Sequence, residues 1–174
     1  MFASRNHFKT RFDLTKDKTG ENPPFEGNEA TKWGTDHEKE AIEKFEKDMG
    51  LTVIPSGLHI HPVHKDIGGS PDGFIEEDPN GMIEVKCPHA KRDKNPLTKH
   101  TTCPGQYKDQ IQGLLEVLNK DYCWLIVWAK NDVAYVKVNR DRAYWKNQIL
   151  PHLDTFRTDM REELRQKALQ DAKK

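Results

Sequence analysis

The sequence predicts an α/β (α+β) domain: a mixed central β-sheet flanked by helices. Three segments carry that expectation. Residues 29–49 repeat Trp33, His37, Ala41 and Phe45 four positions apart, the spacing of one helix face. Residues 122–129, YCWLIVWA, are nearly all apolar, which suits a central strand covered on both faces. Residues 133–138 alternate, the period of a strand with one buried side.

The remaining elements follow in order. Residues 13–28 are polar and hold Pro23-Pro24 and two glycines, so they read as loop. The helix Glu29–Met49 stops at Gly50. Leu51–Ile54 and Leu58–His61 read as strands around Pro55-Ser56-Gly57. Ile67–Ile75 reads as a turn or bulge entering a strand. Asp78-Pro79-Asn80-Gly81 reads as the turn of a hairpin over 74–86, with Met82–Lys86 as its second strand. Residues 88–104, with Pro88, Pro96 and Pro104, read as loop. Gln106–Asn119 is helical, with Tyr107, Ile111, Leu114, Leu115 and Leu118 apolar. Asp141 caps a last helix running to about Lys167, with a break or kink at Pro151, and with Ile149, Leu153, Phe156, Met160 and Leu164 as its buried stripe.

The chain's 174 residues suit one domain, residues 1–174, with a partly looped start and a frayed end beyond 165. A hydrophobic fraction of 34% and a mean hydropathy of −0.91 go with the lack of any run near the roughly 20 apolar residues of a spanning helix. No membrane partner is therefore expected. The first residues lack an apolar core of the secretory kind. Cys87, Cys103 and Cys123 are odd in number and widely spaced, which fits a reducing compartment. An intracellular protein, not a secreted one, is expected.

Basic and acidic residues balance at 28 each, but locally they segregate. Residues 72–84 hold Asp72, Glu76, Glu77, Asp78 and Glu84 with no base. Residues 86–100 hold Lys86, Lys91, Arg92, Lys94 and Lys99 against Asp93. An acidic knot beside basic flanks suits a metal site facing a polyanion. Ordinary charge mixing on a surface explains the same counts, and composition alone favours it.

The chemistry concentrates in Ser70-Pro71-Asp72-Gly73 and Ile83-Glu84-Val85-Lys86. Glu84 and Lys86 stand at i and i+2 on one strand, so they share a face. A hairpin brings Asp72 to the same side. Two carboxylates beside a lysine make a hard oxygen site suited to Mg²⁺, with the Val85 carbonyl as a further ligand. The metal would stabilise charge developing on a scissile phosphate, and the lysine would orient or deprotonate a water. A lone Glu-x-Lys is ordinarily a surface ion pair. Here a Pro-Asp precedes the glutamate by 12 residues, and Ile83 and Val85 mark a buried alternate face, which favours the functional reading.

Asp72 followed by Glu84-Val85-Lys86 resembles the PD-(D/E)XK nuclease superfamily and, more narrowly, the lambda exonuclease and YqaJ-type viral recombinase family. Gly34-Thr35-Asp36-His37-Glu38 is similar to the family's helix ending in a site glutamate. Tyr107-Lys108-Asp109-Gln110-Ile111-Gln112 resembles its Tyr-x-x-Gln-x-Gln helix, and Ile149-Leu150-Pro151 fits a proline of its last helix. The resemblance spans about residues 30–165 and implies a restriction-endonuclease-like core. It implies an exonuclease dependent on Mg²⁺, with Mn²⁺ as a substitute, that digests double-stranded DNA from the 5′ end in recombination or viral DNA processing. A single-strand annealing protein and a ring-shaped homotrimer come with it as expected partners, in the cytoplasm or nucleus of a host. Asp72 and Glu84 would hold the metal with Val85. Glu38 would hold a second metal or a water. Lys86 would place the attacking water, and Gln110 would fix Lys86 or the phosphate. Ser70 and Arg92 match members of the family's 5′-phosphate pocket, and Ser4 is a weaker third. Lys91, Lys94 and Lys99 would contact the DNA backbone. An endonuclease on DNA or RNA, and a noncatalytic nucleic-acid-binding module of the same fold, are the alternatives.

Smaller signals read more plainly. His59, His61 and His64 could bind zinc, but no partner of convincing spacing accompanies them, so a polar hairpin is favoured. Cys87, Cys123, Trp33, Trp124 and Trp128 read as core. Tyr144 and Trp145 read as core or interface before base-stacking groups.

Overall fold

The computed structural model describes residues 26–93 and 102–172, together with residues 16, 20 and 23. Helix α1 spans Glu29–Met49. Asn28 caps it by accepting the Thr31 N–H at 2.9 Å, and Gly50 ends it in the left-handed region at φ 64°, which glycine adopts without a Cβ penalty. Strands β1 (Val53–Pro55), β2 (His59–Ile60), β3 (Gly68–Gly69), β4 (Gly73–Ile75) and β5 (Asp78–Lys86) follow. After helix α2 (Gly105–Val117) come β6 (Tyr122–Ala129) and β7 (Asp132–Asn139).

Five strands form one mixed sheet in the order β1-β4-β5-β6-β7. Every neighbouring pair is antiparallel except β5 and β6, which run parallel from Gly81–Tyr122 to Lys86–Val127. A parallel pair needs a crossover, and residues 87–121, with α2 among them, supply it. Strands β2 and β3 make a separate two-stranded ribbon. One sheet face packs Ile75, Ile83, Val85, Ile126 and Trp128 against Ala41 and Phe45 of α1. Phe45, Ile83 and Ile126 are wholly buried, each contributing about 1.5–3 kcal/mol of apolar burial. On the other face Met82, Cys123, Leu125 and Val127 alternate with these residues and are also buried. Helix α2 lies on that side and buries Ile111, Leu114 and Leu115. Its Gln112 is buried and tied twice: the amide N–H donates to the Asn139 carbonyl at 2.8 Å, and the amide oxygen accepts the Asp141 N–H at 2.7 Å.

Several local expectations are corrected. The chain reverses at Glu76-Glu77, not at 78–81, and Asp78–Gly81 continue as strand. Gly81 serves close approach instead of a turn, since a Cβ there would meet the Tyr122 hydroxyl at 2.6 Å. Strand β6 is, as its apolar run predicts, an interior strand buried on both faces, paired with β5 and β7. No break occurs at Pro151. A helical turn (Arg142–Tyr144) and a π-helical turn (Trp145–Ile149) lead into α3 (Leu150–Asp171), and Pro151 directly follows this change from π to α spacing. Trp145 and Ile149 are buried, but α3 has no buried residue and Leu164 is half exposed. The structure divides into two compact units, one of residues 27–142 and another that includes 143–172. Among the described residues no helix is long and apolar enough to cross a membrane.

Candidate metal centre

Strand β5 delivers two polar side chains into the α2 side of an otherwise apolar sheet. Glu84 is only 2% exposed, an expensive place for a carboxylate unless it is partnered. Its Oε1 accepts two short hydrogen bonds of 2.6 Å each, from the Lys86 Nζ and from the Gln110 Nε2 on α2. Its Oε2 is buried with no hydrogen-bond partner. Asp72, entering β4, is held from the partner strand β5: its Oδ2 accepts the N–H of Val85, the residue after Glu84, at 2.6 Å. The antiparallel pairing of Gly73 with Ile83 sets these residues side by side.

Burial governs the titration of the group. It pushes the Glu84 carboxyl up to about 7, with Lys86 opposing the rise and Asp72 adding to it. Burial raises Asp72 as well, against the Val85 hydrogen bond and Lys86. Glu38 is raised by burial and by the charge of Asp72. For Lys86, burial favours the neutral amine, but the Glu84 and Asp72 charges outweigh it and hold the ammonium above its ordinary range. This lysine is a charged donor, not a free base.

A cleft of about 300 Å³ opens at the C-terminal end of β5. Thr31, Gly34, Thr35 and Glu38 of α1 line one wall, Val85, Lys86, Cys87 and Pro88 the floor, and Tyr107 of α2 the other side. Asp72 and Glu84 are hydrogen-bonded to this lining, through Val85 and Lys86. The Lys86 Nζ also lies 5.7 Å from the centre of the Tyr107 ring, a cation–π distance.

The residues fit a hard divalent cation. The unpartnered Glu84 Oε2 is a buried acceptor that a cation would satisfy, and Asp72 keeps Oδ1 outside its bond to Val85. Among the described residues no three His, Cys, Asp or Glu side chains close a ligand set on their own. Two carboxylate oxygens, a backbone carbonyl and retained waters are the ligand pattern of Mg²⁺, which dehydrates reluctantly.

The structure thus brings Glu38, Asp72, Glu84, Val85, Lys86 and Gln110 together. Gln110 fastens Glu84, not Lys86. Ser70 is exposed two residues before Asp72. Arg92 donates from NH1 to the His89 ring, at 2.9 Å to Nε2, and pairs with Asp93 at 3.2 Å. Lys91 is exposed on the 3₁₀ turn His89–Lys91. Ser4, Lys94 and Lys99 lie outside the described residues. Thr31 and Thr35 were not anticipated. Both stand on the face of α1 that carries Glu38, at offsets of seven and three, and that spacing is the signal that finds them. The His61 Nδ1 accepts the N–H groups of Val63 and His64 at 3.0 Å each, so that nitrogen holds a loop together. Cys123 and Trp128 are buried, while Cys87, Trp33 and Trp124 pack half-buried against the core. Burial pushes the Cys87 thiol up to about 12, so it stays protonated beside the cleft.

A family model for the YqaJ-like viral recombinase domain matches residues 1–121, more than half of the chain. The chain belongs to this family. Its fold is similar to that of an alkaline exonuclease, LHK-Exo, from Laribacter hongkongensis, at 21% identity and a TM-score of 0.77, covering 94% of this chain and 84% of the other. The same protein in complex with dAMP aligns at 22% identity and a TM-score of 0.79, with the same coverage. A phage-related exonuclease from Haemophilus somnus 129PT aligns at 15% identity and a TM-score of 0.68, covering 90% and 82%. At these identities the likeness is one of fold, and it agrees with the mixed sheet that carries the Asp72–Glu84–Lys86 set in this family member. A search of curated proteins finds no match.

Proposed function

We propose that the protein is a divalent-metal-dependent deoxyribonuclease that uses Mg²⁺, or Mn²⁺ in its place, and degrades linear double-stranded DNA from the 5′ end. The observation that carries this reading is the buried, unpartnered Glu84 Oε2 beside Asp72, with the Lys86 ammonium 2.6 Å from the other oxygen of the same carboxylate. Membership of the viral recombinase family and the fold shared with exonucleases support it.

Asp72, Glu84 and the Val85 carbonyl would hold the cation, which when bound supplies Lewis-acid stabilisation of a phosphorane-like charge. Lys86 stays protonated, so its part is to orient the attacking water and to balance charge on the scissile phosphate. Glu38, from the opposite wall, is raised above its ordinary range and is the available group to take a proton from that water or to hold a second cation. Gln110 keeps Glu84 in place. Lys91 and Arg92 lie on the turn that follows the cleft floor and suit the phosphate backbone, where contacts carry no base information. A homotrimer and a single-strand annealing protein are the assembly partners this proposal carries with it.

A time course in Mg²⁺ tests the activity on three DNAs: a linear duplex with a 5′-phosphate, the same duplex with a 5′-hydroxyl, and a closed circle. Loss of the linear forms with the circle spared is expected, and preference for the phosphate would implicate Ser70 and Arg92. Nicking of the circle would mean an endonuclease. No cleavage in Mg²⁺ or Mn²⁺ would leave a binding module.

A further inference from the structure

The chain approaches Asp72 through a closed loop built on one imidazole. His61 directly follows β2 and is buried, at 5% exposure. Its Nδ1 accepts two backbone donors, the N–H groups of Val63 and His64, at 3.0 Å each. Two N–H groups aimed at one ring nitrogen leave no place for a proton there, so the ring is neutral and carries its proton on Nε2. The loop then locks on itself. The His61 N–H donates to the Ile67 carbonyl at 2.8 Å, and the Ile67 N–H donates to the His64 carbonyl at 2.9 Å. Ile67 is buried, and the next two residues are β3, paired with β2. Gly68 lies so close to β2 that a Cβ would come within 2.9 Å of the His59 carbonyl oxygen. Only Ser70 and Pro71 stand between β3 and Asp72. A link that short, stiffened by a proline, passes a shift of β3 on to the Asp72 carboxylate.

We infer that His61 is a positioning residue for Asp72: its neutral ring holds the 61–67 loop and β3 in the place from which Asp72 reaches Val85, and a proton on Nδ1 undoes that hold. The inference rests on the part given to Asp72 in the proposed function and adds a residue outside the cleft lining. A protonated Nδ1 sets a donor against two donors, so both loop bonds break together. Other titratable groups surround the ring. His59, His64, Lys65 and Asp66 belong to its own segment, with the His64 ring 4.8 Å away. Strand β3 holds none, and α2, which packs on β3, carries Tyr107, Lys108, Asp109 and Glu116, the last paired with Arg140. All of these are kept in the variants below, so a difference between variants isolates His61.

The test is an amide NMR titration of the intact, metal-free protein from pH 8 to pH 5, for the wild type, His61→Asn and His61→Leu. Asparagine puts Oδ1 where the imidazole has Nδ1 and accepts both N–H groups without titrating. Leucine fills the space and accepts nothing. Exchange protection of the Val63 and His64 amides reads the loop, and the Val85 amide resonance reads Asp72, its acceptor. In the wild type, protection corrected for the intrinsic rate should fall by about tenfold in acid, the scale of a hydrogen bond's net worth, with Val85 moving in step. His61→Asn should keep its protection and lose that part of the Val85 shift, whereas His61→Leu should start at pH 8 with both already changed. If the leucine variant fails to fold, the other two still decide. Wild-type protection that holds in acid, or a Val85 resonance identical in wild type and His61→Asn at every pH, overturns the inference and leaves the metal site standing. Titration of the wild type with MgCl₂ at pH 8 checks the underlying reading separately, and a failure to bind there overturns both.

Discussion

The Asp72 side chain accepts the backbone N–H of Val85 at 2.6 Å, so each strand of the β4–β5 pair fixes a carboxylate relative to the other. This makes Asp72 a structural acceptor as well as a proposed metal ligand, and two substitutions separate the roles. Asp72→Ala leaves a buried N–H without its partner and should cost about 1–3 kcal/mol of stability in addition to the cation site. Asp72→Asn keeps an amide oxygen for Val85 and should stay near wild-type stability while losing metal affinity. Denaturant unfolding and metal titration of the two variants check this, and equal destabilisation by both would refute the dual role.

The pH dependence of the metal-free protein follows from Glu84. Burial raises its carboxyl from 4.5 to about 7, so the fold prefers the protonated form more than the unfolded chain does. That preference contributes stability in full below pH 4.5, and the contribution is lost as pH rises to about 7. Melting temperatures in a chelator should fall across this window, and Glu84→Gln should flatten the slope. Divalent metal needs the ionised carboxylate, so the Mg²⁺-induced rise in Tm should be larger at pH 8 than at pH 6.

Lys86→Ala distinguishes an enzyme from a binding module. Removing the group proposed to orient the attacking water should lower the rate of DNA cleavage by roughly 10²–10⁴-fold. Affinity for DNA, measured in a chelator, should change little, because Lys91 and Arg92 remain on the neighbouring turn. A variant that cleaves at the wild-type rate would remove Lys86 from the chemistry.

Gly73 is held to glycine by crowding. A Cβ there would run into Val53 of β1 and lie 3.0 Å from the Ile54 carbonyl oxygen. Gly73→Ala should therefore destabilise the protein by about 1–3 kcal/mol and displace the adjacent Asp72. Chemical denaturation measures the first effect and Mg²⁺ titration the second.

The elements with a strong period were legible in the sequence. The α1 stripe ending at Gly50 and the apolar run of β6 appear where the pattern places them. Asp72, Glu84 and Lys86 were legible because alternation along one strand and a hairpin fix their common side. The turn at 76–77 was not, because Asp-Pro-Asn-Gly has the chemistry of a reversal. Here cross-strand pairing overrides it: Tyr122 seats on Gly81, and its hydroxyl donates to Asp78 at 2.8 Å. The partner of Gln110 was also hidden, since nothing local tells whether an α2 amide reaches the lysine or the glutamate of β5.

The crossover between β5 and β6 bears on how the chain behaves during synthesis. A ribosome-bound fragment ending before α2 already carries Asp72, Glu84 and Lys86, yet it lacks the amide of Gln110 and the strand that flanks β5. Glu84 then has neither its second donor nor its enclosure, and water solvates it. The enclosure of Glu84 is complete only with β6, residues 122–129, paired along β5. Nascent or prematurely terminated products that carry Asp72, Glu84 and Lys86 but stop short of α2 would thus lack the assembled group, and completion of the fold itself would act as its safety catch.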